Sequence, residues 1–189
     1  MVRKAGLDRS TVIAAAADLA DEGGLDNITL GALAARLGVR TPSLYNHVDG
    51  LEGLRCGLAL YGTRELNARL LRAVACKSAD DALVAVANAY RDYVKAHPGL
   101  YAAMAPAANP TDRELSEAQR EVVAILLAVL ASYGLVGDDA LHQLRGLRSV
   151  VHGFATLEMV GGFGLPLDCD ESFRRVVQMV LAGIHAAVP

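Results

Sequence analysis

Residues 28–48 read ITLGALAARLGVRTPSLYNHV and give the most specific structural signal in the chain. Its first half places leucines at helical spacing, with Thr29 before the run as a typical helix start and Gly38 after it as a typical helix end. Only three residues later, Thr41 and Pro42 predict a second helix over residues 42–47, with Thr41 as its cap and Pro42 in its first turn. Two short helices joined by so tight a turn predict a helix-turn-helix.

The charge of this stretch differs from that of the whole chain. The 189 residues carry a formal net charge of -3, yet no Asp or Glu lies between Asn27 and Val48, where Arg36 and Arg40 are found. A locally positive surface suits the phosphates of nucleic acid.

Helix signals continue along the rest of the chain. Asp8 predicts the start of a first helix that ends at Gly23, and Asp49 predicts a long fourth helix that runs toward Cys76. Further helices are expected to begin at Ser78, at Thr111, at Asp138 and at Asp168 or Asp170. Ala, Leu and Val supply most of the 53% hydrophobic content, and aromatic residues make up only 5%. We therefore expect an all-α fold of about nine helices without strands.

Several other classes of protein are disfavoured. The longest run without charge, residues 122–137, is too short to span a bilayer of about 30 Å at about 1.5 Å per residue. The three cysteines, Cys56, Cys76 and Cys169, are far apart and show no ligand spacing, so neither a metal site nor a cofactor is expected. The sequence also lacks the common catalytic motifs, and His142 and His152 are too far apart to share a helical turn, so we expect no enzyme.

Residues 8–60 resemble the TetR family of bacterial transcriptional regulators. The resemblance rests on Ile28-Thr29-Leu30, Leu33-Ala34 and Leu37-Gly38-Val39, followed by Pro42-Ser43-Leu44-Tyr45-Asn46-His47-Val48. It implies a DNA-binding domain in residues 1–50 and a helical effector-binding and dimerisation domain in residues 51–189. It also implies a cytoplasmic homodimer, most commonly a repressor, that binds a pseudo-palindromic DNA operator and is released by a small hydrophobic or aromatic effector.

The resemblance also assigns candidate DNA contacts in the helix-turn-helix. Hydroxyl groups suit phosphates, whereas Asn and His side chains can reach phosphates or base edges. One departure from the family pattern is Leu51, which stands where a Lys is usual at the start of the fourth helix. The candidate DNA-binding residues are Thr29, Arg40, Thr41, Ser43, Tyr45, Asn46 and His47.

Candidates for the other two roles lie in residues 51–189. Val151-His152-Gly153 matches two residues of a Trp-His-Gly signature that marks one group of effector domains in the family. The expected effector cavity is mostly apolar with a few polar groups. Its candidate lining residues are Tyr61, Tyr90, Tyr93, Tyr101, Met104, Leu126 and His152. The candidate dimer-interface residues, on the last two helices, are Leu147, Val151, Phe154, Val177, Leu181 and Ile184.

A function from another class remains open at this point. A helical adaptor that binds proteins rather than DNA would share the same composition and helix pattern. Such an adaptor has no need of a capped helix-turn-helix free of acidic residues, which favours DNA binding.

Overall fold

The computed structural model describes residues 7–104 and 112–187. The predicted helix start at Thr111 lies outside these ranges. Over these ranges the chain forms nine α-helices and one short 3-10 helix (Leu25–Asn27) and has no strand, as the sequence predicts. The α-helices are α1 (Arg9–Gly23), α2 (Leu30–Leu37), α3 (Thr41–Leu44), α4 (Gly50–Val74), α5 (Ala79–Ala96), α6 (Pro98–Met104), α7 (Arg113–Ala131), α8 (Gly137–Met159) and α9 (Cys169–Ala187).

The predicted caps at the first two helices are confirmed. The Asp8 carboxylate accepts a hydrogen bond from the Thr11 N–H at 2.7 Å, and the Thr29 hydroxyl accepts one from the Ala32 N–H at 3.1 Å. Each side chain satisfies one of the N–H groups that the first turn of a helix leaves without an intrahelical acceptor.

The helix predicted over residues 42–47 is shorter in the structure. α3 spans only Thr41–Leu44, residues 45–47 form a turn, and the helix begins after Arg40 without a side-chain cap. The predicted capping role of Thr41 is therefore wrong. After Leu44 the chain continues in a turn, in which the Leu44 carbonyl accepts hydrogen bonds from the His47 and Val48 N–H groups at 2.9 and 3.0 Å.

The chain divides into two compact units. The described residues of the first are 7–65, 97–104 and 112–116, and those of the second are 66–96 and 117–187. The predicted domain boundary at residue 50 differs from this division, because α6 joins the N-terminal helices in the first unit. The division of the chain into a DNA-binding domain and an effector-binding domain stays a prediction. The core of the first unit is formed by buried apolar side chains of α1 to α4 and α6, such as Val12, Leu33, Leu44, Leu58 and Leu100.

The second unit is built around a buried arginine. Arg91 of α5 is 5% exposed, and its guanidinium donates to both carboxylate oxygens of Glu158 on α8 at 2.6 Å. It also pairs with Asp170 at 2.8 Å and lies over the rings of Phe154 and Phe173, with its Cζ 5.5 and 4.8 Å from their centroids. The hydrogen bonds from Arg91 lower the pKa of the Glu158 carboxyl. This cluster joins α5, α8 and α9.

A second group of polar contacts in the same unit links α5 and α9 to the end of α7. Asp80, in the first turn of α5, accepts a hydrogen bond from the Tyr133 hydroxyl at 2.8 Å and lies 3.0 Å from the His185 Nε2. These hydrogen bonds lower the pKa of Asp80, whereas burial and this carboxylate raise the pKa of Tyr133. The N-terminus of α5 is thereby held against residues at the ends of α7 and α9.

Two further candidate features can be assessed over the same ranges. No helix there is both long enough and apolar enough to cross a membrane. No group of His, Cys, Asp and Glu side chains in those ranges could hold a metal ion.

Candidate nucleic-acid interface

The turn between α2 and α3 depends on a left-handed glycine. Gly38 has φ 65° and ψ 32°, a conformation that side chains with a Cβ rarely adopt. The Gly38 N–H donates to the Ala35 carbonyl at 3.2 Å, and the Val39 N–H donates to the Ala34 carbonyl at 3.0 Å. These bonds end α2 and reverse the chain within three residues, so that α3 begins beside α2.

Burial fixes which residues at the two ends of α3 face outward. Leu44 is fully buried and Val48 is nearly so, which anchors the short helix and the following turn to the core. Tyr45 is 58% exposed, and Asn46 and Arg40 are also exposed. The outward face thus presents a phenol, an amide and a guanidinium, which are groups that contact phosphates and base edges in nucleic-acid complexes.

The two arginines of the stretch differ in their surroundings. Arg36 forms a two-pronged ion pair with Glu22 of α1, with one contact of 3.1 Å, and its hydrogen bonds lower the pKa of that carboxyl. Arg40 makes no ion pair with any residue that the structure describes. The positive charge available to a DNA phosphate is therefore that of Arg40, whereas the charge of Arg36 is used within the unit.

His47 lies near the start of α1. Hydrogen bonds, first that from the Thr11 N–H, lower the pKa of Asp8 to about 2, and the charge of His47 contributes to this shift. Asp8 is therefore ionised at neutral pH. His47 is half-buried in the turn after α3, and either ring nitrogen that carries a proton can donate to a phosphate.

The remaining candidate DNA contacts have different degrees of exposure. Thr29 is exposed, and its hydroxyl can still donate a hydrogen bond while it accepts one from the Ala32 N–H. Thr41 and Ser43 of α3 are half-buried. Leu51 is exposed in the first turn of α4, where it offers a phosphate no cation. The contacts themselves stay predictions.

The candidate effector residues are distributed over both units. Tyr61, Tyr101 and Met104 belong to the first unit. The second unit contains the four others, of which Tyr93 and Leu126 are buried, Tyr90 is half-buried and His152 is exposed. Arg69 lies over the Tyr93 ring at 5.2 Å, so this ring serves the packing of α4 on α5. A role of these residues in effector binding stays a prediction.

Among the buried polar residues that the sequence analysis missed is Asn67 of α4. Its side chain is 7% exposed, and its Nδ2 donates to a Glu121 carboxylate oxygen at 2.6 Å. Its Oδ1 has no hydrogen-bond partner among the described residues. A buried acceptor without a partner costs free energy, so Asn67 is a candidate contact for a donor group on a bound molecule. The available signal was an Asn between the apolar Leu66 and Leu70 of a helix.

The second unit also has an open apolar groove of about 400 Å³. Its walls come from the end of α4, the start of α5 and the second half of α7. The lining residues are Leu71, Val74, Lys77, Ser78, Ala82, Ala124, Ile125, Ala128, Val129 and Ser132. None of these residues was a candidate in the sequence analysis, because small and apolar residues at helical spacing indicate a packed core as readily as a groove.

Most of the candidate dimer residues are buried within the chain itself. Leu181 is half-buried, and the other five are buried in the second unit: Leu147, Val151, Phe154, Val177 and Ile184. These side chains therefore have little exposed surface for contact with a partner. Their role in a dimer interface stays a prediction.

Another apolar face of α8 is exposed instead. Val150, Leu157 and Val160 are exposed, and a Cβ added to Gly146 or Gly153 would meet open space. These five residues recur every three or four positions and so share one side of the helix. We call them the α8 seam.

Comparison with protein families gives two matches in this chain. Residues 12–54 match the family model "Bacterial regulatory proteins, tetR family". Residues 83–180 match the model "Tetracyclin repressor-like, C-terminal domain". The first match contains the helix-turn-helix, and the second covers more than half of the chain.

Individual proteins are similar over nearly the whole chain. The chain is 38% identical to an HTH-type transcriptional regulator of Mycobacterium tuberculosis, over 98% of this chain and 85% of that protein. It is 32% identical to an HTH-type transcriptional regulator of Bacillus subtilis, over 97% and 96% of the two chains. Among solved structures, a variant of TetR from Acinetobacter baumannii in complex with minocycline has the same fold, with TM-score 0.74 and 24% identity over 97% of this chain and 99% of that one.

Proposed function

Because the chain belongs to the tetR family of bacterial regulatory proteins, a family of DNA-binding transcriptional regulators and not of enzymes, we propose that it acts as a ligand-responsive homodimeric repressor. In this proposal the dimer binds a pseudo-palindromic operator in the cytoplasm, where the DNA is. A small hydrophobic or aromatic effector then releases it. The observation that carries DNA binding is the outward surface at the two ends of α3, where Arg40 precedes the helix and Tyr45 and Asn46 follow it, all exposed in a segment free of acidic residues.

The size of α3 supports a dimer. A four-residue helix can reach only a few base edges, so one copy has little sequence specificity. A two-fold dimer presents a second copy about 34 Å away, or at a multiple of that distance, and doubles the number of bases read.

The α8 seam is the surface that we propose for dimerisation. Its two open glycines allow a second helix to approach closely, and its exposed Val and Leu side chains would lose contact with water in the complex. A two-fold axis brings the same face of both copies together, so this one apolar face can be complementary to itself.

The effector part of the proposal has two supports. A solved chain of the same fold holds minocycline, so this fold can accommodate a polycyclic ligand. In this chain the unpartnered Oδ1 of Asn67 would accept a hydrogen bond from a hydroxyl or N–H group of an otherwise apolar effector.

DNA binding is tested with the full-length chain and DNA alone. A random duplex library is passed over the protein, the strongest duplex is recovered, and its affinity is measured by fluorescence anisotropy at several salt concentrations. We expect a sequence with two-fold symmetry that binds far more tightly than a scrambled duplex of the same length. Equal affinity for both duplexes would remove the proposal and favour a protein-binding adaptor.

A further inference from the structure

The short helix α6 is fixed to α1 by one carboxylate. Asp21, in the last turns of α1, accepts a hydrogen bond from the Leu100 N–H at 2.9 Å through Oδ1. Its Oδ2 lies 2.8 Å from the His97 Nδ1, and the ring nitrogen must be the donor because an ionised carboxylate can only accept. Both groups are partly buried. One side chain therefore holds the residue before α6 and the first turn of α6 to α1.

The backbones of the two helices approach each other at Gly99. Gly99 is buried, and a Cβ built on it would overlap the carbonyl group of Ala20 in α1. The obstacle is backbone, which cannot rotate away as the end of a flexible side chain can. Glycine is therefore required at position 99 for α6 to lie where Asp21 holds it.

The opposite side of α6 packs against α4. A Cβ on Gly62 would lie 2.7 Å from the Met104 sulfur and 3.0 Å from the Leu100 Cγ. α4 in turn meets α1 closely, since a Cβ on Gly57 would overlap the end of the Ile13 side chain. Three close contacts thus fix α1, α4 and α6 together, although α6 is far from the helix-turn-helix in sequence.

We propose that Asp21, His97 and Gly99 are positioning residues for DNA binding, which act by docking α6 on α1. This inference rests on the proposed function. α1 packs against α2, so the orientation of α1 within the unit sets the orientation of the helix-turn-helix. Densely packed interfaces resist small shifts, and a displaced α6 therefore moves α1 or leaves a void. Operator affinity accordingly depends on three residues that contact no DNA.

The test compares variants of the full-length chain on the duplex recovered by selection with the wild type. Asp21→Ala removes both hydrogen bonds, and Gly99→Ala forces α6 away from Ala20. We expect each to raise the operator dissociation constant by about tenfold or more, within the range of coupled conformational equilibria. Asp21→Asn keeps an acceptor for the Leu100 N–H and loses only the charge, so a smaller increase is expected.

A purely structural role is distinguished by two control variants. Leu83→Ala truncates a fully buried side chain of α5 in the second unit, whereas α6 belongs to the first, and should lower the unfolding temperature. Ala102→Ser changes an exposed position of α6. Measured well below every unfolding midpoint, both controls should bind the operator like the wild type. A loss of affinity in Leu83→Ala equal to that in Asp21→Ala, at the same loss of unfolding temperature, would overturn the positioning role.

The outcomes separate this inference from the proposed function. If the wild type prefers no duplex, DNA binding itself is wrong. If the wild type binds its selected duplex and the Asp21 variants bind equally well, DNA binding stands and the positioning role is wrong. Should Gly99→Ala fail to fold, the comparison of Asp21→Ala with Asp21→Asn still decides, because these variants change only polar contacts at a partly exposed site.

Discussion

Replacing Leu157 of the α8 seam with glutamate should convert the proposed dimer to monomers. Full burial of a leucine side chain is worth about 1.5–3 kcal/mol. Leu157 is already half-covered, at 50% exposure, so about 1 kcal/mol remains to be gained at an interface. A two-fold axis uses the residue twice, which gives about 2 kcal/mol. The unpaired carboxylates add a desolvation cost of several kcal/mol. A total of at least about 4 kcal/mol raises the dimer dissociation constant about a thousandfold.

The chain offers a matched control for this variant. Leu141 lies on the same helix and is 42% exposed, but at about 100° per residue it points about 160° away from Leu157. Sedimentation equilibrium over a range of concentrations measures both variants. We expect Leu141→Glu to dimerise like the wild type and Leu157→Glu to stay monomeric, with the helical circular dichroism of both unchanged. Equal dimerisation of the two variants would refute the assignment of the α8 seam.

Three further predictions concern the helix-turn-helix and the buried ion pair. Tyr45→Ala should weaken operator binding by about 1–3 kcal/mol if the side chain contacts a base, and by less if it contacts a phosphate. Anisotropy titration measures this change, and an unchanged affinity would contradict a DNA contact by Tyr45. Thr29→Ala should cost about 1 kcal/mol of unfolding free energy and Thr29→Ser almost nothing, by urea titration, because serine keeps the cap; equal losses would disprove the capping role. Glu158→Gln should cost about 3 kcal/mol, because Arg91 loses its main buried counter-charge. The pKa of Glu158 is lowered in the folded state, so the stability from its ion pair is fully present above the usual glutamate pKa and is lost as pH falls through the lowered value. The unfolding free energy of the variant should therefore fall less steeply with acid than that of the wild type. Parallel slopes for the two proteins would count against the ion pair.

The local signals in the sequence were sufficient for the first helices. Asp8 and Thr29 each lie directly before a run with helical periodicity, and their side chains form the predicted caps. Gly38 ends α2 for the predicted reason. The length of α3 was not predictable in this way, because neither Gly nor Pro follows Leu44 before Gly50 to mark the end of the helix.

Contacts between distant residues were beyond the reach of the sequence. The Asp21 carboxylate and the Leu100 N–H are 79 residues apart, and no periodicity or cap pattern relates two such positions. This is why α6 was expected in the C-terminal domain and lies in the first unit.

The dimer candidates illustrate a different difficulty. Two apolar stripes run along α8, one buried in the chain and one exposed. Hydrophobic periodicity predicts that an apolar stripe is covered, but it does not say whether the cover is this chain or a partner. It therefore does not distinguish the buried Leu147 and Val151 from the exposed Val150 and Leu157.

The central claim, that the helix-turn-helix reads DNA, is tested most directly by one titration. The duplex selected by the wild type and a scrambled duplex are titrated with the wild type and with Arg40→Ala. We expect the wild type to prefer the selected duplex strongly and Arg40→Ala to lose affinity for both, with a smaller dependence on salt, because a cation near a phosphate is removed. Identical affinities and salt dependences for the two proteins, or no preference of the wild type for the selected duplex, would contradict the account.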